Sequence, residues 1–237
     1  ARPLTGTAPD ETFDVFPYAQ AVGEYLLTEM PGLHMPRKLK VGFSNTQANE
    51  VHATFRDLGF VARENGTFSV YCAGGLGPTP KLGVHITDNA APSEVSLYVH
   101  AMIRLFTTYG NYESRAKSRT RYLQDTLGEE KIRNYFLQFV EDAQKEMTPW
   151  PVEPVHPISK SADGTLSEAL LTEKRVLPQK QNGLYTVSYH PLGGRLAPQK
   201  PSELYAVIKE MPETELRISP DGTLYIINLT CLLYTSD

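Results

Sequence analysis

Four prolines, Pro149, Pro151, Pro154 and Pro157, crowd around Trp150, the only tryptophan of the 237-residue chain. Proline has no amide hydrogen to give to a ladder or a helical turn, and it pushes the residue before it out of the α region. A helix or central strand therefore cannot run through residues 149–157, and polar residues continue to Gly183. The chain is expected to fold in pieces: a first domain over residues 1–150, a linker over 151–183, and a second unit over 184–230.

The pattern within each piece mixes helices and strands. Residues 13–28 read as a helix with Asp14 as N-cap and Pro17 in its first turn, stopped by Pro31-Gly32. Residues 58–62 and 67–71 read as a hairpin around Asn65-Gly66, a dipeptide suited to positive φ. Three helices are expected over 92–108, 115–127 and 129–147, with Gly128 separating the last two. Beyond the linker the order is strand 184–190, helix 201–211, strand 215–219 and strand 223–229, part of a ferredoxin-like split unit.

The segment from Met35 to Ser44 alternates cations with apolar residues, the period of a strand. On such a strand Lys38 and Lys40 share one face, while Arg37, Leu39 and Val41 share the other. Two adjacent ammonium groups repel each other, so the fold must put an anion between them or open water around them. Lysines that guard an edge strand against further pairing would show the same pattern.

Other candidates are weaker singly. The loop Gly74-Gly75-Leu76-Gly77 follows a strand, so its amides could approach an anion, but it fits neither the dinucleotide fingerprint nor the P-loop. Arg115 and Arg119 are four apart and would share a helix face, a spacing that can hold carboxylates or phosphates. Gly110-Asn111 precedes them and could aim the first helical turn at a ligand. His52 has no spaced partner and reads as structural; Glu129-Glu130 suits a helix start. Cys72 and Cys231 give no zinc-ligand spacing, so no metal site is assigned.

A net charge of −4 argues against general nucleic-acid binding, and no apolar run approaches the ~20 residues that cross a bilayer. A cytoplasmic protein without membrane partners is expected. The final residues, Cys231 to Asp237, back-translate to a sequence that resembles a transposon-end adapter, so 231–237 are read as an adapter-derived tail and native sequence as stopping near Thr230.

Taken in order, Pro36-Arg37-Lys38-Leu39-Lys40, His52-Ala53, Asp57-Leu58-Gly59-Phe60-Val61-Ala62, Ala73-Gly74-Gly75-Leu76-Gly77, Gly110-Asn111 through Arg121, and Glu215-Leu216-Arg217-Ile218 resemble the siroheme-dependent sulfite and nitrite reductases. The resemblance implies an α+β fold: a siroheme-binding nitrite/sulfite reductase domain followed by an incomplete ferredoxin-like half-domain. It implies an oxidoreductase that takes sulfite to sulfide or nitrite to ammonia with six electrons, at a siroheme coupled to a 4Fe–4S cluster. Its partners would be the small anion and an electron donor such as ferredoxin or a flavoprotein.

Position by position, the resemblance gives Lys38 and Lys40 the catalytic role of holding the anion and assisting its protonation. It places Arg37, Gly74, Gly75, Asn111, Arg115 and Arg119 beside the siroheme. Ala73 departs from the usual glycine triplet, and the cysteine motifs of the cluster are absent from these 237 residues. The chain by itself is therefore expected to be an inactive fragment. The alternative is a non-catalytic module that uses the basic strand and the ferredoxin-like unit to hold an anion or a partner protein.

Overall fold

The computed structural model describes residues 1–152, 160–162, 174–211 and 213–230. They form two compact units, Ala1–Arg2 with Thr12–Val155, and Pro3–Glu11 with His156–Asp237. The adapter-like residues 231–237, and with them Cys231, lie outside the described residues, as do Pro154 and Pro157.

In the first unit, helix α1 (Phe16–Glu29) starts where the Asp14 carboxylate accepts the Phe16 amide at 2.9 Å. Four strands make one sheet in the order β1 (Val41–Ser44), β2 (Leu58–Ala62), β3 (Phe68–Cys72), β4 (Val84–Ala90). The pair β1–β2 is parallel, and the other two pairs are antiparallel. The hairpin falls where Asn65-Gly66 predicts it, with Gly66 at φ 80°. Strand β4 has no counterpart in the sequence reading, because Asp88 and Asn89 interrupt its apolar alternation.

Helices α2 (Val95–Tyr109) and α4 (Glu129–Glu146) pack together against this sheet. Phe43, Phe60, Phe68, Phe106 and Phe136 fill the core between them, all essentially inaccessible to water. Phe43 and Phe60 stack at 4.7 Å across the parallel pair. Trp150 packs on the margin of this core, its ring 4.2 Å from that of Tyr25.

The basic helix expected over 115–127 is not continuous. Residues Arg115–Lys117 and Thr120–Tyr122 form separate 3-10 turns, and only α3 (Leu123–Thr126) is α-helical. The break falls at Arg119, whose backbone is extended (φ −83°, ψ 149°) where its guanidinium and the Thr120 hydroxyl reach Asp57. Upstream, the Asn111 side-chain oxygen accepts the Glu113 and Ser114 amides at 3.0 and 2.8 Å and fixes the turn that leads into Arg115. Arg115 and Arg119 therefore do not share an α-helical face.

The second unit is an antiparallel sheet in the order β5 (Val176–Pro178), β6 (Leu184–Tyr189), β8 (Leu224–Thr230), β7 (Glu215–Ile218), with helix α5 (Lys200–Ile208) between β6 and β7. The chain's first residues join it. Arg217 donates to the carbonyls of Pro3 and Thr5, the former 214 positions away, and Leu4 and Ala8 pack on Ile227. Glu11 accepts the Gly6 amide, the Thr5 hydroxyl and the Lys180 ammonium. The whole is α+β, as the sequence implies. Among the described residues no helix is long and apolar enough to cross a membrane.

Candidate functional site

Three segments that are distant in sequence meet in the first unit: residues 34–40, the glycine loop after β3, and residues 110–125. The first and third are joined along their length. Tyr112 donates its hydroxyl to the His34 carbonyl at 2.9 Å, and the two rings stack 5.4 Å apart. Gly110 lies so close to Pro36 that a Cβ there would sit 2.4 Å from the proline ring. Glycine is required at that approach.

Asp57 closes the junction. The residue is 2% exposed, directly before β2. One carboxylate oxygen accepts the Lys40 amide at 2.8 Å and lies 3.5 Å from an Arg119 guanidinium nitrogen. The other accepts the Thr120 hydroxyl. Its backbone carbonyl accepts the Ala73 amide at 2.8 Å, which ties in the glycine loop. Burial pushes the Asp57 carboxyl above the usual carboxylate range, although the Thr120 hydroxyl, Arg119 and the Lys40 amide each favour its ionised form.

These bonds also correct the strand expected over 35–44. Only Val41–Ser44 is strand. The Lys40 amide goes to a side chain and not to a neighbouring strand, so pairing starts one residue later, with Leu58 donating to the Lys40 carbonyl at the boundary. The alternation survives all the same: Lys38 and Lys40 are exposed, while Leu39 packs on the core.

The glycine loop is held tightly. A Cβ on Gly74 would meet the Arg56 carbonyl and the Gly83 amide, both at 2.9 Å. Gly75 and Gly77 leave room for Arg121, whose guanidinium lies 4.7 Å over the Tyr122 ring and is almost fully buried. Gln124 donates to the carbonyls of Ala73 and Leu82, and Lys81 pairs with Asp125. Ala73, in place of the usual glycine, adopts the left-handed conformation with φ 57°.

The electrostatics are one-sided. Among the described residues Arg37, Lys38, Lys40, Arg115 and Lys117 have no carboxylate partner, whereas most other cations of this unit do. The Nε atoms of Arg119 and Arg121 are buried without any hydrogen-bond acceptor. Orphan donors of this kind are costly unless something accepts from them. A cleft of about 160 Å³, lined by Tyr109, Asn111, Lys117, Arg119 and Tyr122 among others, opens beside them. The Tyr122 phenol is held below its ordinary value by hydrogen bonds with Thr79 and Arg121.

All eight site residues read from the sequence lie on these three segments: Arg37, Lys38 and Lys40 on the first, Gly74 and Gly75 on the second, Asn111, Arg115 and Arg119 on the third. Asn111 spends its oxygen on the turn it caps, and Gly74 is needed by the backbone of its neighbours. Asp57, Thr120, Arg121 and Gln124 were not picked out. An acidic residue immediately before a wholly buried strand is the one local signal that could have found Asp57.

Residues 1–142 match the nitrite and sulphite reductase 4Fe-4S domain, and residues 177–230 match the nitrite/sulfite reductase ferredoxin-like half domain. The chain belongs to the nitrite and sulphite reductase family. A ferredoxin–nitrite reductase of Synechococcus elongatus is 27% identical over 96% of this chain and 43% of its own length. A sulfite reductase (NADPH) hemoprotein beta-component of Shouchella clausii is 33% identical over 43% of this chain and 20% of its own. The solved structure of the Mycobacterium tuberculosis NirA protein shares the fold with a TM-score of 0.71 at 23% identity, covering 98% of this chain and 40% of that one. The chain thus spans about two fifths of the full-length relatives it matches end to end.

The two groups that the family implies fit unequally. A macrocycle bearing many carboxylates suits the unpaired cations and the orphan Nε atoms of Arg119 and Arg121. A 4Fe–4S cluster does not suit the described residues. Cys72 is their only cysteine, it is fully buried, and burial pushes its thiol far above the usual range.

Proposed function

We propose that this chain is the anion-handling part of a siroheme-dependent reductase of sulfite or nitrite. The supporting observation is the set of unpaired cations, Arg37, Lys38, Lys40, Arg115 and Lys117, gathered on two segments that Asp57 and Tyr112 bind together. A solvated basic face would not need a buried carboxylate, a stacked tyrosine and a glycine contact to hold its strands in place.

In this reading Arg37, Arg115 and Arg119 pair with siroheme carboxylates, Asn111 shapes the turn that carries Arg115, and Gly74 and Gly75 bring the loop close to the macrocycle. Siroheme, when bound, supplies the iron at which the anion is reduced. Lys38 and Lys40 hold the anion and offset the charge that builds on its oxygens, which must be protonated to leave as water. Either ammonium can give that proton. The cysteines for a 4Fe–4S cluster must come from outside this chain's described residues, so the chain alone should not turn over. The names of the two relatives support ferredoxin or an NADPH-linked donor as electron source.

The test is Lys38→Ala and Lys40→Ala in the intact, siroheme-loaded protein, assayed with both anions. General acid help is commonly worth ~10²–10⁴-fold, and a loss of that order is expected. Both side chains are exposed, so the melting temperature should hold. Wild-type turnover in both variants, with siroheme fully loaded, would leave the lysines as edge protection.

A further inference from the structure

A buried, ionised carboxylate is an expensive way to cap a turn. Asp57 meets two neutral donors, the Lys40 amide and the Thr120 hydroxyl, and one cation, Arg119. Asparagine would satisfy the two neutral partners equally well. Its carbonyl accepts from the amide, and its NH₂ donates to the threonine oxygen, since a hydroxyl can turn to accept. The negative charge serves the cations, Arg119 first and the Lys40 ammonium after it. Burial already acts against that charge, so the ionised form is kept at a cost to the fold.

We propose that Asp57 is a positioning residue: its carboxylate fixes the Arg119 guanidinium and the Lys40 backbone relative to one another, so that both segments present their cations to the same anionic ligand. Three observations carry this. The same Asp57 oxygen contacts the Lys40 amide and Arg119. Arg119 is left with a buried Nε–H that has no acceptor, so its other edge is free for a ligand. The Asp57 backbone also receives the glycine loop through Ala73, and Thr120 reaches the Gly74 carbonyl at 3.4 Å, so one residue registers all three segments. The proposal rests on the reductase reading above and adds to it the group that aligns its two cationic segments.

The experiment is Asp57→Asn in the intact protein, read by siroheme bound per chain, by KM and kcat for sulfite and nitrite, and by melting temperature. The expected result is a melting temperature equal to or above wild type, with KM raised about tenfold, the order expected when a cation loses its charged partner, or with siroheme content at least halved. Combining it with Arg119→Gln should cost little beyond either single change, because both break the same contact. A folded Asp57→Asn protein with wild-type siroheme content and KM would overturn the proposal. So would additive losses in the double variant.

If Asp57→Asn does not accumulate as folded protein, Asp57→Glu keeps the charge but moves it by one methylene relative to the Lys40 amide and Arg119. The same KM and siroheme readouts then decide, and wild-type values overturn the proposal. Lys38→Ala and Arg115→Ala run beside it as controls. If they also leave turnover and siroheme content untouched, the reductase reading of the site fails as well; if they fall while Asp57→Asn does not, only the role of Asp57 fails.

Discussion

At the scale of single residues, Asp57 and Lys40 show how little exposure tells about purpose. Lys40 is exposed and its ammonium forms no ion pair, yet its backbone is held by one of the most buried acids among the described residues. That acid has a testable pH signature. Its folded value lies above its unfolded one, so its contribution to stability is fully present at low pH and is lost as pH rises through the folded value. Asp57→Asn has no such titration. As pH rises above about 4, the ordinary carboxylate value, the wild type should lose melting temperature relative to Asp57→Asn. Melting curves of both proteins at matched ionic strength check this. A difference that grows in favour of the wild type with rising pH would contradict it.

At the scale of elements, contacts and not propensities decide the arrangement around the site. Gly110 ends α2 against Pro36, and a Cβ there would lie 2.4 Å from both the Pro36 ring and the Phe106 carbonyl. Gly110→Ala should therefore cost ~1–3 kcal/mol, the range for overpacking, and should loosen residues 34–40. Denaturant melts give the first effect, and faster amide exchange at Lys38 to Lys40 gives the second. Unchanged exchange would show that the lysine segment does not lean on α2.

Elements with a strong local signal were readable in the sequence: the Asp14 cap, the Asn65-Gly66 turn, and the α2 and α4 helices. The basic segment 115–127 was not, because Arg119 leaves the helical path where it and Thr120 reach Asp57, a residue distant in sequence. The lysine strand was read six residues too early, since the period of two is already present over 35–40, before the ladder starts at Val41. The candidate cations were legible because charge without a nearby opposite charge stands out in sequence. Asp57 was not, since its partners are 17 and 63 positions away.

At the scale of the whole molecule, the chain forms two compact units that match the two domain models of the family, and the candidate site lies in the first. Within that unit the core of phenylalanines and the α2–α4 pair form a rigid backing. Against it the three segments are set by a few bonds: Asp57 to Lys40, Thr120 and Arg119, Tyr112 to His34, and Gln124 to the glycine loop. The central claim is that the cations on these segments exist to hold an anionic macrocycle. The most direct measurement is siroheme bound per chain, by absorbance, in intact protein carrying Arg115→Ala and Arg119→Ala together. The expected result is a folded protein that has lost most of its siroheme. Full siroheme content in that double variant would contradict the claim and leave the cations as a solvated face.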